Sequence, residues 1–408
     1  MGSPGFVGVL RHRDFRHLWL AQSASVLGDR IVTIALALFV IDLTGSASDL
    51  GFVLAAGALP LTGFLLIGGV WADRLPRHRV MIVSDLARFA LHGLLAGLIL
   101  AGTVRVWEIV LVEALFGTAE AFFRPAAAGL LPQTVPESEI QEAKAMTGLF
   151  DNTAEFLGPA LGTALVLGIG AGPAFALDAA SFLLSAALLT RIRPRARTLA
   201  ADGGSRGTLR VELREGFREV RSRTWVWATL AAFCVALFAG LAPWLVLGPV
   251  VARERYGSVA VFGVVASALG AGTVIGSLVG GRWRPRHPMR MAMLSVLLWP
   301  ASAILYAAGL TLVAVLPVTV LAGIGLALFD VWWETALAER IPPRLLSRVS
   351  SYDWMVSLGL LPLGFLATGP LAAALGPVEV LLGGSVLALL AYLAGLLPRS
   401  TRMLERRG

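Results

Sequence analysis

The chain has 408 residues, 57% of them hydrophobic and only 15% charged, with a net charge of +8. Soluble domains carry about 25% charged residues, so this composition argues against a water-soluble core and for membrane spans of ~20 residues. The basic residues sit in short runs between apolar segments, a pattern of membrane orientation and not of a nucleic-acid surface.

Arg11, Arg13 and Arg16 precede the first long apolar run, Leu18–Val40, in which no small-residue cleavage site stands out. This segment is expected to be an uncleaved first span. Twelve apolar runs follow one another near 17–42, 49–72, 80–102, 105–124, 141–168, 173–191, 225–250, 258–281, 289–310, 313–337, 348–371 and 377–397. Each is long enough to cross a bilayer as a helix, and several tolerate Gly or Pro as packed membrane helices do. The longest polar interruption, 192–224, separates a first bundle (1–191) from a second (225–408). Within this basic linker LRVELREGFREV places Leu209, Leu213, Phe217 and Val220 at helical spacing, the pattern of a surface-lying amphipathic helix.

With the N-terminus inside, the outside links keep only Arg105, Arg253 and Arg255, while Arg30 and Arg88 fall within spans. The rest of the 34 basic residues then lie inside, so both termini are expected in the cytoplasm. The lone Cys234 has no disulfide partner in the chain. The single lysine, Lys144, is followed by Ala145, so a GxxxxGK[ST] phosphate loop is impossible. No Ser-His-Asp grouping, GxSxG elbow or metal cluster appears. The reading is therefore not an enzyme, with no cofactor and no metal.

Two echoes suggest related halves. GGRWRPRH at 280–287 repeats part of GGVWADRLPRH at 68–78, and Gly158-Pro159 in the fifth run recurs as Gly369-Pro370 in the eleventh.

The short link between the second and third runs has the pattern G-x-x-x-D-R-x-x-R-x-R, carried by Gly69, Asp73, Arg74, Arg77 and Arg79. It resembles the signature loop of the major facilitator superfamily, with Pro76 where that family usually has glycine. The resemblance covers the whole chain and implies an all-α integral membrane protein of 12 transmembrane helices in two pseudo-symmetric six-helix bundles. It also implies a cytoplasmic gate in which Asp73 meets the start of span eleven and pairs with Arg124. Further stretches (SVLGDR, FRPAAAGLLPQTVP, FLGPALG, ALDAASFLLSA and LLSRVSSYDW) resemble the branch that exports macrolides, multiple drugs and siderophores. The antiporter signature of span five is partly matched by Ala145, Ala154, Gly158, Pro159 and Gly162, with Thr163 in place of its last glycine. Gly158, Pro159 and Gly162 are the expected hinge.

Charges within spans are costly, at least ~2.5–3.5 kcal/mol each at the bilayer centre, so each needs a reason. Asp29 lies near mid-membrane in span one, with Arg30 about 100° around the helix from it. Glu113, Glu120 and Arg124 share one face of span four around Gly117, with Glu120 and Arg124 spaced for an ion pair. Asp151 and Glu155 stand one turn apart before Gly158-Pro159, where like charges favour sharing a proton. These five acids, Asp29, Glu113, Glu120, Asp151 and Glu155, are the candidates for proton coupling or substrate binding. Asp330 and Glu334 in span ten form a second-rank pair, with Arg340 or Arg348 as possible partners. Asp85 and Arg88 read as a local ion pair, Asp178 as a first-turn dipole partner of span six, and His92 as a hydrogen-bonded structural histidine. Phe233 and Phe238, deep in span seven, are candidate apolar contacts for a ligand.

Together these readings predict a proton-coupled exporter of an amphipathic small molecule (an antibiotic, drug or siderophore) working by alternating access as a monomer in a bacterial cell membrane. The partners are protons, the small molecule and the lipid bilayer, with no nucleic acid. Proton-coupled uptake of a nutrient or siderophore is the alternative, and a non-transporting receptor or scaffold is the second.

Overall fold

The computed structural model describes residues 6–194, 209–280, 282–283, 285–342, 345, 349, 352–353 and 359–405. Among the described residues the regular structure is entirely helical. A short 3₁₀ turn (Phe6–Arg11) leads into α1 (Arg13–Thr44), α2 (Ala47–Arg74), α3 (Arg77–Leu100), α4 (Val106–Leu130), α5 (Ile140–Ile169) and α6 (Ala171–Leu189). After the linker helix α7 (Leu209–Ser222) come α8 (Thr224–Tyr256), α9 (Ala260–Gly280), α10 (Pro288–Ala307), α11 (Leu312–Arg340), α12 (Leu361–Leu375) and α13 (Pro377–Gly395).

Nine of these helices are long and apolar enough to cross a membrane, judged on the described residues. They are α1, α2 over Ala47–Leu65, α3, α6, α8 to α11 and α13. Helices α4 and α5 each carry four ionisable residues, and α12 is a shorter apolar helix that begins after Leu360. With these three, each apolar run has a helix over its described part; the eleventh run is described mainly from residue 359 onward.

Contacts divide the chain into two units: residues 1–44 with 52–200, and residues 45–51 with 201–408. In the first unit α3 packs extensively on α6, α1 on α5 and α6, and α3 on α4. Glycines set the closest approaches. A Cβ at Gly162 would sit 2.5 Å from the Ile31 carbonyl of α1, and one at Gly117 would collide with the Gly57 carbonyl of α2. Small residues at such crossings let membrane helices approach backbone to backbone, where dispersion replaces the absent hydrophobic drive. Helix α5 runs unbroken through Pro159.

One end of this unit is capped by an apolar cluster of Phe15, Leu18, Met81, Phe123, Leu130 and Ala143. The 3₁₀ turn of residues 6–11 is tied to it by charge. Arg11 Nη2 and His12 Nε2 both reach Glu139, the latter at 2.9 Å from Oε2. Burial disfavours ionisation of Glu139, but the His12 hydrogen bond and the Arg11 charge outweigh it and hold this carboxyl below its usual range.

In the second unit α9 and α11 make the most extensive contact. A G-x-x-x-G pair, Gly272 and Gly276, faces Gly323 and Ile324, with a Cβ at Gly276 falling 2.5 Å from the Ile324 carbonyl. Helix α8 contains a π turn over Ala236–Leu241. Pro243, just after it, has no N–H to give the Ala239 carbonyl, which removes the bond that would have kept an α register there. The amphipathic helix expected in the linker forms as α7, with Val220 buried and Phe217 exposed; the side chains of Leu209 and Leu213 lie outside the described residues.

Candidate functional site

A cavity of about 590 Å³ in the first unit is walled by α1 to α5. Asp29 and Arg30 reach it from α1, Gly57 from α2, Arg88 and His92 from α3, Glu113, Glu120 and Arg124 from α4, and Asp151 from α5. Residues scattered along five helices therefore share one space.

Behind the cavity wall α3 and α6 run antiparallel and are laced by polar side chains. Asp85, Arg88 and His92 follow one face of α3 at helical spacing; Asp178 and Ser185 do the same on α6. Ser185 Oγ donates to Asp85 Oδ2 at 2.6 Å, and Arg88 Nη2 also holds Asp85. The Arg88 side chain is 2% exposed and lies among three rings, with its guanidinium carbon 4.1 Å from the Phe123 centroid and 4.3 Å from that of Phe182. Such rings favour a desolvated cation. Its other terminal nitrogen, Nη1, points to Asp29 Oδ2 at 3.8 Å.

One turn further along α3, the His92 ring stacks on Phe116 at 4.1 Å between centroids. Its Nδ1 lies 2.5 Å from Asp178 Oδ2, and its Nε2 lies 3.7 Å from Glu113 Oε1. Asp178 is fully buried, while Glu113 keeps 11% of its side chain exposed towards the cavity. Neither His92 Nε2 nor Glu113 Oε1 has a hydrogen-bond partner. An imidazole gripped at one nitrogen by a carboxylate is fixed in orientation and presents the other nitrogen for proton exchange. The remaining gap exceeds the ~2.6–3.2 Å of direct transfer by under an ångström, a small helix displacement. Glycine makes room for both acids. A Cβ at Gly28 of α1 would collide with Asp178 Oδ1 and lie 2.7 Å from Ser181 Oγ, and one at Gly57 would touch Glu113 Oε2 at 3.4 Å.

The remaining expected residues are distributed as follows. Glu120 and Arg124 form the expected pair, with Arg124 Nη2 and Nε at 2.6 and 2.9 Å from Glu120 Oε1. Glu155, one turn after Asp151, meets Arg30 at 3.6 Å on an exposed face. Gly158 packs against Arg30 of α1, so Gly158, Pro159 and Gly162 form a tight helix crossing in this structure. Arg74 is exposed, and Arg77 Nη1 donates to the Gly129 carbonyl at 2.5 Å. The side chains of Gly69 and Asp73 lie outside the described residues, as does Arg348. In the second unit Asp330 and Glu334 are exposed on α11. Trp333 between them donates from Nε1 to Asp353 Oδ2 at 3.1 Å. Phe233 stacks on Phe329 at 4.3 Å and meets Tyr392 edge-on, whereas Phe238 stays 36% exposed.

One reading is corrected. Asp178 does not open α6, because that helix starts at Ala171 after Gly170 takes a positive φ of 89°. Asp178 is two turns inside and serves His92, not the helix dipole. The histidine itself was read as structural and absent from the candidates. The signal that pairs it was available: α3 and α6 carry matching polar stripes at the same spacing.

The profile of the Major Facilitator Superfamily matches residues 18–357. The chain belongs to this superfamily. It is a major facilitator transporter, a multi-pass membrane protein moving a small-molecule substrate. It is similar to macrolide efflux protein A of Streptococcus pyogenes, 24% identical over 89% of this chain and 90% of that protein. It is likewise similar to the multidrug efflux pump Tap of Mycolicibacterium fortuitum, 26% identical over 91% and 92%. The MFS-type transporter YfiS of Bacillus subtilis is 27% identical, and the match spans about half of each chain, 54% of this one and 52% of YfiS. Among solved structures the nucleoside transporter NupG superposes with a TM-score of 0.74 at 11% identity, covering 94% of this chain and 98% of NupG. That likeness concerns the major facilitator fold alone.

Proposed function

We propose that this major facilitator transporter exports an amphipathic small molecule, of the antibiotic, drug or siderophore kind, in exchange for protons. The observation that carries the reading is the Asp178–His92–Glu113 array at the wall of the cavity. Asp178 anchors the imidazole, His92 holds or passes a proton, and Glu113 exchanges it with the cavity. Asp29 of α1 meets Arg88 at 3.8 Å, and Arg88 stands one helical turn before His92 on α3, so the two charge clusters adjoin. Loading a proton removes a negative charge from a desolvated wall, so the cavity's affinity for substrate and the closure of the bundle depend on it. Export, and not uptake, is supported by the two efflux relatives that align along about nine tenths of the chain. The arginine distribution supports a cytoplasmic 192–224 linker and cytoplasmic termini, with residues 1–191 and 225–408 as the two rocking halves and the monomer as the working form.

The test uses proteoliposomes with an imposed pH gradient and a panel of labelled macrolides, other drugs and siderophores. Gradient-driven movement of at least one compound is expected, and Glu113→Gln is expected to abolish the gradient dependence while leaving equilibrium exchange. Transport that ignores the gradient, or survives Glu113→Gln with the gradient dependence intact, overturns the coupling.

A further inference from the structure

A second hollow in the first unit, about 470 Å³, lies where the adjoining ends of α2 and α3 meet α4. Trp71 and Leu75, Val80 and Val83, and Phe122 supply its apolar walls. Trp71 meets Phe122 edge-on at 6.4 Å between centroids, and Trp71 and Val83 are 53% and 66% exposed. Among the described residues no side chain fills this space, and in a bilayer exposed apolar surface of this kind adjoins acyl chains.

The rim is cationic. Arg79 lines the hollow from the first turn of α3, is exposed, and has no acidic partner among the described residues. Its neighbour Arg77 is committed to the Gly129 carbonyl. The link between α2 and α3 is only Leu75-Pro76, so Arg79 stands where polar link gives way to apolar span, at the level of lipid headgroups. Trp71 occupies the same boundary, the usual depth of an interfacial tryptophan.

An exposed guanidinium at headgroup depth beside a hollow of acyl-chain character is a two-part recognition site. We propose that this hollow binds one anionic phospholipid, its phosphate group on Arg79 and one acyl chain between Val83 and Phe122. The charge complementarity selects an anionic headgroup, because a zwitterionic lipid brings its own ammonium to the rim and gains little from a single arginine. The bound lipid fills the junction of α2, α3 and α4, the helices that carry Gly57, His92 and Glu113, and so braces the wall of the transport cavity.

The full-length protein in detergent is titrated with phosphatidylglycerol or phosphatidylcholine of identical chains and examined by native mass spectrometry. The first phosphatidylglycerol is expected to bind more tightly than the first phosphatidylcholine. Arg79→Gln should weaken it about fivefold, the worth of one basic side chain at an anionic surface, and erase the headgroup preference. Arg290→Gln removes the same charge from an exposed position, without an ion pair among the described residues, and should change nothing. Val83→Trp, which fills the hollow, should remove the first bound lipid of either kind. Headgroup preference that survives Arg79→Gln, or a first lipid that survives Val83→Trp in folded protein, overturns the proposal.

Discussion

Removing the His92 imidazole is the most demanding test of the buried array. Asp178 has no exposed side-chain surface, and its Oδ2 lies 2.5 Å from the ring. Deleting one partner of a buried pair leaves the other charge uncompensated, at a cost of about 3–5 kcal/mol. His92→Ala also forfeits the stacking on Phe116, worth ~0.5–1.5 kcal/mol, and it is expected to lose about 4 kcal/mol or more. His92→Gln keeps an amide donor for Asp178 and should lose only about 1–3 kcal/mol, the value of a charge-assisted hydrogen bond. Adding Asp178→Asn to His92→Ala removes the stranded carboxylate and should restore part of the loss, a coupling of ~0.5–3 kcal/mol in a double-mutant cycle. Denaturant unfolding in micelles gives the stability scale, and gradient-driven flux in proteoliposomes gives the functional one. His92→Gln should bind substrate yet lose proton-driven flux. A His92→Ala protein as stable as the parent, or additivity with Asp178→Asn, would refute the pairing on which the proton path rests.

Gly117→Ala should cost about 1–3 kcal/mol by forcing α4 away from the Gly57 carbonyl, and because Glu113 sits one turn away it should also slow transport; unfolding and flux measured together check this. Glu155→Gln should change stability by no more than ~1 kcal/mol, since its partner Arg30 is an exposed one; a loss of several kcal/mol in the same unfolding assay counts against that assignment. The Glu139 tie has a pH signature. Because its carboxyl is held below the usual range, the tie contributes fully above the unfolded value of about 4.3 and fades as pH falls through the lower folded value. Measured against the unstructured chain at the same pH, hydrogen exchange at residues 6–12 should therefore stay slow at neutral pH and quicken only below about pH 4. In Glu139→Gln it should be fast at neutral pH as well.

The helices were readable because membrane spans obey one composition rule along their whole length, and the apolar runs and basic links of this chain obey it clearly. The superfamily was readable from one short link, Gly69 to Arg79. The site was readable only in part. Glu120 and Arg124 are neighbours on a single helix, so spacing alone pairs them. His92 and Asp178 stand 86 positions apart, and only the antiparallel packing of α3 on α6 brings them together. Arg30 was legible only as a neighbour of Asp29 in sequence. The packing of α1 on α5 at Gly158 is what brings it to Glu155, a contact that the spacing of Asp151 and Glu155 along one helix could not reveal.

The π turn of α8 changes how that helix should be numbered against its neighbours. A single extra residue in one turn rotates everything beyond it by about 100° relative to an unbroken helix. Trp225 and Phe233 before the turn and Trp244 after it therefore cannot be placed on one helical wheel, and Trp244 duly joins Phe262 and Tyr306 while Phe233 joins Phe329 and Tyr392. An alignment that forbids gaps inside α8 assigns wrong equivalents to one of its halves. The natural place for a one-residue indel among relatives is Ala236–Leu241, where a deletion would heal into plain α-helix and swing the Trp244 end to a new set of neighbours.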